Sequence, residues 1–192
     1  MFKSSIVILL VIYANSAVLS AVDVEIENKH VDRTIDLTSQ LVKVSYKITL
    51  EHKSKKPISS YVFLVPLNDC EKLSFFSARD SSKKELKVSI ARTSHDCTYS
   101  MTLAGGQSNP VVYIETIFSK ALEPFPSEIT QAERQLVRYF GSAVFYSPFK
   151  TLSQKTTIHL ASRNVETFTL VKPSVGTIYF LIWSCILIFF HF

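Results

Sequence analysis

VVYIETIFSKALEPFPSEITQAERQLVRYFGSAVFYSPFK, Val111 to Lys150, is the stretch on which the fold turns. It opens with a period of two: Val112, Ile114, Thr116 and Phe118 share one face, and Val111, Tyr113, Glu115 and Ile117 the other. Both faces are mostly apolar, which predicts a strand buried on both sides. Pro124 and Pro126 bracket Phe125, and proline fixes φ and lacks an N–H, so the ladder is expected to stop there. A polar turn or single helical turn over 127–134 follows. The runs LVRYF and AVFYS then flank Gly141-Ser142, a pattern that predicts an aromatic hairpin, closed by Pro148. A strand, a corner and a hairpin make a scaffold, with nothing in them of a catalytic loop.

Upstream, Leu41 to Glu51 alternates most cleanly. Val42, Val44, Tyr46, Ile48 and Leu50 share one face, and Lys43, Ser45, Lys47, Thr49 and Glu51 the other. One wet face and one packed face imply an antiparallel sheet. Val22–Glu27 reads as a first strand and Ser60–Val65 as the return from the basic turn at 52–57. Leu73–Ala78, Leu86–Ala91 and Thr98–Leu103 are three more short strands. Thr156–Ala161 and Val165–Val171 close the series around Ser162-Arg163-Asn164. About ten short strands at this spacing, with no sustained helical period, predict an all-β, antiparallel, β-sandwich-like domain.

The chain has 192 residues, a net charge of +5 and three cysteines. That length allows one domain plus appendages. The charge excess forms no dense Lys/Arg stripe, so nucleic acid is not an expected partner. Lys53, Lys55 and Lys56, like Lys83, Lys84 and Lys87, read as solvated turn residues or, less simply, as a polar partner surface. At the N-terminus, Lys3, the apolar run Ile6–Tyr13 and the small residues Ala14–Ala21 have the layout of a signal peptide, residues 1–21, which places the chain in the secretory pathway. Cys70 and Cys97 then fall in an oxidising compartment. Two readings stand for them, a disulfide or two free buried thiols.

The tail, TIYFLIWSCILIFFHF (177–192), reads as a short apolar helix. Sixteen residues at ~1.5 Å each reach about 24 Å, short of the ~30 Å hydrocarbon core. Residues 176–192 are therefore at most a marginal transmembrane anchor. A GPI signal lacks its polar spacer, and a replacement of further domains is the remaining reading. The folded part is expected over 22–175.

HExxH, GxSxG and P-loop spacings do not occur, and the histidines at 30, 52, 95, 159 and 191 fit no common zinc motif. Glu123, Glu128 and Glu133 could be imagined as a glycosidase carboxylate pair, but they lie around a turn where charge is expected anyway. No Asn-x-Ser/Thr acceptor is present; Asn68-Asp69-Cys70 is the rare cysteine variant. No catalytic, cofactor or metal residues are assigned. The aromatic residues Tyr139, Phe140, Phe145, Tyr146 and Phe149 read either as core packing or as a docking face with Tyr139 or Tyr146 turned outward while Phe140 or Phe145 packs inward.

The segment ALEPFPSEITQAERQLVRYFGSAVFYSPF (121–149), followed by HLASRNVETFT (159–169), resembles the N-terminal luminal region of the ribophorin I family. VDRTIDLTSQLVKVSYKITLEH (31–52) fits the same family in order and spacing. The resemblance covers roughly residues 22–173 and departs near Val175, where the family continues through more luminal chain to a membrane span; a truncated member is the expectation. The resemblance implies a non-enzymatic, accessory subunit of the endoplasmic-reticulum oligosaccharyltransferase, which transfers a glycan en bloc from dolichol pyrophosphate to Asn-x-Ser/Thr. The implied partners are the other subunits, the catalytic one included, nascent polypeptide and the membrane. The competing expectation is a free-standing β-sandwich binding module, secreted or membrane-anchored, or a truncated form that does not assemble. Phe125, Tyr139, Phe145, Tyr146 and Arg163 are the candidate interface- or fold-defining residues.

Overall fold

The run with the cleanest alternation forms the centre of the molecule. In the computed structural model, which describes residues 25–130, 135–160, 165–170 and 185–190, Val42–His52 (β2) buries Val42, Val44, Tyr46, Ile48 and Leu50 and turns Lys43, Ser45 and Lys47 to solvent. Ile26–Leu37 (β1) and Val111–Phe118 (β7) flank it, both antiparallel. Leu73–Arg79 (β4) extends the sheet beyond β7. On the far edge of β1, Lys150–Thr151 (β10) and Gln154–Leu160 (β11) pair parallel to it. The result is a six-stranded mixed sheet.

A second sheet is antiparallel and three-stranded: Ser60–Pro66 (β3), Asp96–Thr102 (β6) and Lys87–Arg92 (β5), in that order. Its aromatics meet those of the first sheet, with Phe63 edge-on to Tyr46 at 5.1 Å and Tyr99 stacked on Phe76 at 4.1 Å. Such ring pairs add to the area they bury. A single helical turn, Leu67–Cys70 (α1), follows β3, and Cys70 is joined by a disulfide to Cys97 of β6, 27 positions on. The third sheet contains Val165–Leu170 (β12), Cys185–Phe190 (β13), Leu136–Ser142 (β9) and Leu122–Phe125 (β8), in that spatial order and antiparallel throughout. Tyr139 and Ile188 carry this sheet into the common core with Ile35, Ile48, Tyr61, Val112 and Ile114.

The all-β class is correct, but several local readings change. The sheet built on β1 is mixed, because β10 and β11 run parallel to it. The first strand begins at Ile26 and runs through Leu37, well beyond the expected end at Glu27. β7 is buried on one face only, since Tyr113 on the other is 40% exposed. Pro124 does not stop pairing: β8 lies at the sheet edge, where a missing N–H costs no ladder bond. There is no hairpin at Gly141-Ser142, because β9 passes through both residues and its neighbours are β8 and β13. Segment 143–149 is irregular and held by side chains instead. The apolar tail is not a helix where it is described: Cys185–Phe190 is a strand inserted between β12 and β9. A short apolar run is compatible with either state, and two waiting strand edges decide it. No helix among the described residues is long and apolar enough to cross a membrane. The signal-peptide reading of residues 1–21 lies outside the described residues.

Candidate functional site

Within β1, Val31, Arg33, Ile35 and Leu37 share the inward face. The same period of two that buries the aliphatics therefore carries a guanidinium inward with them. Arg33 is only 7% exposed. Its Nη1 donates to the carbonyl of Ser142 at 2.6 Å, and its Cζ lies 5.8 Å from the centre of the Tyr46 ring. Its Nε is buried and has no hydrogen-bond partner. No carboxylate lies within ion-pair distance of it among the described residues.

Arg33 lines a cleft of about 70 Å³ together with Tyr46, Phe63, Asp69, Tyr139 and Phe145. Phe140 and Val144, both exposed, also line it, so the cleft connects the buried guanidinium with the surface. Burial pushes the Tyr139 hydroxyl up to about 12, against a smaller downward pull from Arg33. Tyr46 is raised for the same reason, so both phenols are neutral hydrogen-bonding groups at neutral pH. Asp69 is also raised by burial, opposed by Lys72 and Arg33. Gly141 lets the Tyr139 ring fold back against the backbone: a Cβ at 141 would collide with its hydroxyl and its Cζ.

Asn28 ties β1 to the segment 144–151, of which Val144, Phe145 and Tyr146 line the cleft. It is fully buried, and its Nδ2 donates to Ser147 Oγ at 2.9 Å and to Thr151 Oγ1 at 3.0 Å. Its Oδ1 accepts from the Tyr61 hydroxyl at 3.0 Å. Tyr61 in turn stacks on Phe149 with centroids 5.0 Å apart. Farther along the segment, Gln154 receives the Phe145 amide on Oε1 at 2.8 Å and donates from Nε2 to the Ala143 carbonyl at 2.9 Å. Side chains thus replace a partner strand for 143–149 and press Phe145 and Phe149 inward.

The residues singled out from sequence therefore separate. Tyr139 and Phe145 are buried and form cleft wall and core, so neither is the outward member of a docking face. Tyr146 is half-buried at the cleft. Phe125 is 41% exposed, with the Arg138 guanidinium 5.7 Å from its ring centre, and Phe140 is 58% exposed, so at 139–140 the alternation runs opposite to the expected tyrosine out and phenylalanine in. Arg163 and Glu133 lie outside the described residues. Glu123 is held below the ordinary carboxylate range by a hydrogen bond from Arg138, the arrangement of a paired surface charge. Arg33 and Asn28 were not singled out from sequence. The signal for Arg33 was the alternation of Val31, Ile35 and Leu37, in which an inward Arg33 stands out; Asn28 is out of that phase, across a register shift between Asn28 and His30.

Three sheets sharing a core, with a cationic cleft opening from it, define an all-β module. The chain belongs to the ribophorin I family, whose model matches residues 26–177. It is 33% identical over 181 residues to the dolichyl-diphosphooligosaccharide–protein glycosyltransferase subunit 1B of Arabidopsis thaliana, covering 85% of this chain and 38% of that protein. To subunit 1 of Caenorhabditis elegans it is 36% identical over 151 residues, covering 76% and 26%. It thus spans between about a quarter and two fifths of the length of the curated relatives it matches. Among solved structures, yeast LTA4 hydrolase in complex with bestatin is similar at a TM-score of 0.47 and 13% identity, covering 86% of this chain and 26% of that one.

Proposed function

We propose that this chain serves protein N-glycosylation as an accessory, non-catalytic subunit of the oligosaccharyltransferase, its β-module acting in assembly or in presenting nascent polypeptide to the catalytic subunit. The observation that carries this reading is the family match across residues 26–177, supported by relatives named as subunit 1 of that transferase. The reading places the folded part, residues 22–175, in the lumen of the endoplasmic reticulum at its membrane. Cys70–Cys97 pairing is consistent with that oxidising compartment.

The docking face in this reading is the outer side of β8 and β9. Cross-strand partners point the same way, so Phe125 with Leu136 and Glu123 with Arg138 share one face, and Phe140 joins them by its period of two from Arg138. Exposed aromatics beside an arginine are among the residue types enriched at interfaces and their hot spots. The test is to express the tagged full chain in cells, solubilise microsomes gently and ask whether the catalytic subunit co-purifies. Co-purification that is lost in Phe140→Asp, with an unchanged melting temperature, supports the face. A folded luminal chain that comes down alone overturns the reading.

A further inference from the structure

We propose that the cleft over Arg33 is a carboxylate-binding site, taking an acidic side chain or a chain terminus of a polypeptide. A buried guanidinium is costly unless an opposite charge or a full set of hydrogen bonds compensates it. Arg33 has one short bond to the Ser142 carbonyl and an aromatic ring beneath it, but its buried Nε is unfilled and no carboxylate is within ion-pair distance among the described residues. The missing element is an acceptor, and a charged one answers both deficits, since a carboxylate meets the guanidinium fork with two oxygens.

The surroundings favour that group. Arg33 and Lys72 line the cleft against a single carboxylate, Asp69, so its lining is net cationic. Apolar walls from Val42, Phe63 and Phe145 keep the dielectric low, where a charge pair is stronger than in water. The volume of about 70 Å³ exceeds the ~10–15 Å³ needed for one water and suits a carboxylate with a methylene or two. Phe140 and Val144, exposed beside it, leave the approach open to a side chain presented by another polypeptide. The inference does not rest on the transferase reading, and either can fail alone.

The test follows the Arg33 Nε–Hε resonance in the folded full chain by two-dimensional ¹H–¹⁵N NMR, assigned with Arg33→Lys. The probes are Ac-Gly-Glu-Gly-NH2, Ac-Gly-Gly-Gly-OH and the neutral Ac-Gly-Gln-Gly-NH2, each against sodium chloride at matched ionic strength. Expected is a saturable shift with at least one carboxylate peptide and none with the glutamine peptide or salt; the stronger carboxylate probe tells side chain from terminus. Asp69→Asn, which removes the one like charge in the lining, should tighten that binding several-fold. A glutamine peptide that shifts the resonance equally, carboxylate peptides that do not move it, or an Asp69→Asn chain with unchanged affinity would each overturn the proposal.

Discussion

Asn28 carries more structure than any other polar residue described. It holds β1 to the segment that follows β9, and removing its side chain would leave the buried Tyr61 hydroxyl with Ser147 alone. Asn28→Ala should therefore destabilise the fold by about 2–4 kcal/mol, the scale of several buried hydrogen bonds, measurable by urea unfolding. Asn28→Asp keeps the acceptor for Tyr61 and loses the two donations to Ser147 and Thr151, so part of the loss should persist. Gly141→Ala should cost about 1–3 kcal/mol by overpacking, because the new methyl meets the Tyr139 ring. The combination with Tyr139→Leu should cost less than the sum of the two single changes, a coupling visible in a double-mutant cycle. Asp69 provides the pH-dependent case. Its folded-state pKa is raised, so the ionised form is disfavoured by folding, and the penalty is present at neutral pH and is relieved as pH falls through the folded value towards the ordinary aspartate pKa of about 3.9. Asp69→Asn should raise the melting temperature at pH 7 and lose that advantage once the wild-type carboxyl is protonated.

Among the elements, β2 was fully legible, since ten alternating residues admit one arrangement. The aromatic segment was not. Gly141-Ser142 has the composition of a turn, yet the glycine is there because a ring covers it, and that contact comes from packing that no local pattern displays. The inward Arg33 could have been read from its phase, but a cation among aliphatics is ordinarily assigned outward. β13 shows a third kind of limit: CILIFF suits a strand or a helix, and tertiary partners choose. Ile188, 4% exposed, is the position that tests this element. Ile188→Lys should loosen the third sheet and speed hydrogen exchange at the β9 amides of 137–142; unchanged exchange there would mean that β13 is not paired with β9. For the link between α1 and β6, Cys97→Ser opens a loop of 27 residues. Chain-entropy reasoning gives a loss of about 3.5 kcal/mol, to be read from denaturant midpoints under oxidising conditions.

At the scale of the whole molecule, the family and the class were readable from long motifs. The mixed character of the main sheet was not, because it depends on which distant strand reaches the free edge of β1. That pairing sets the order in which the chain can be completed. Asn28 and Thr151 are 123 positions apart and bonded to each other. β1 can join β2 as soon as both are made, but its second edge waits for nearly the whole domain to be synthesised. At ~5–20 residues per second, that interval lasts several seconds or more. Throughout it, a newly made chain presents an open row of amide and carbonyl groups beside a half-covered core, the kind of surface on which strands of other chains add. The fold is thus exposed to its greatest risk during biosynthesis, and a holdase that occupies the outer edge of β1 until residues 150–160 emerge would protect it.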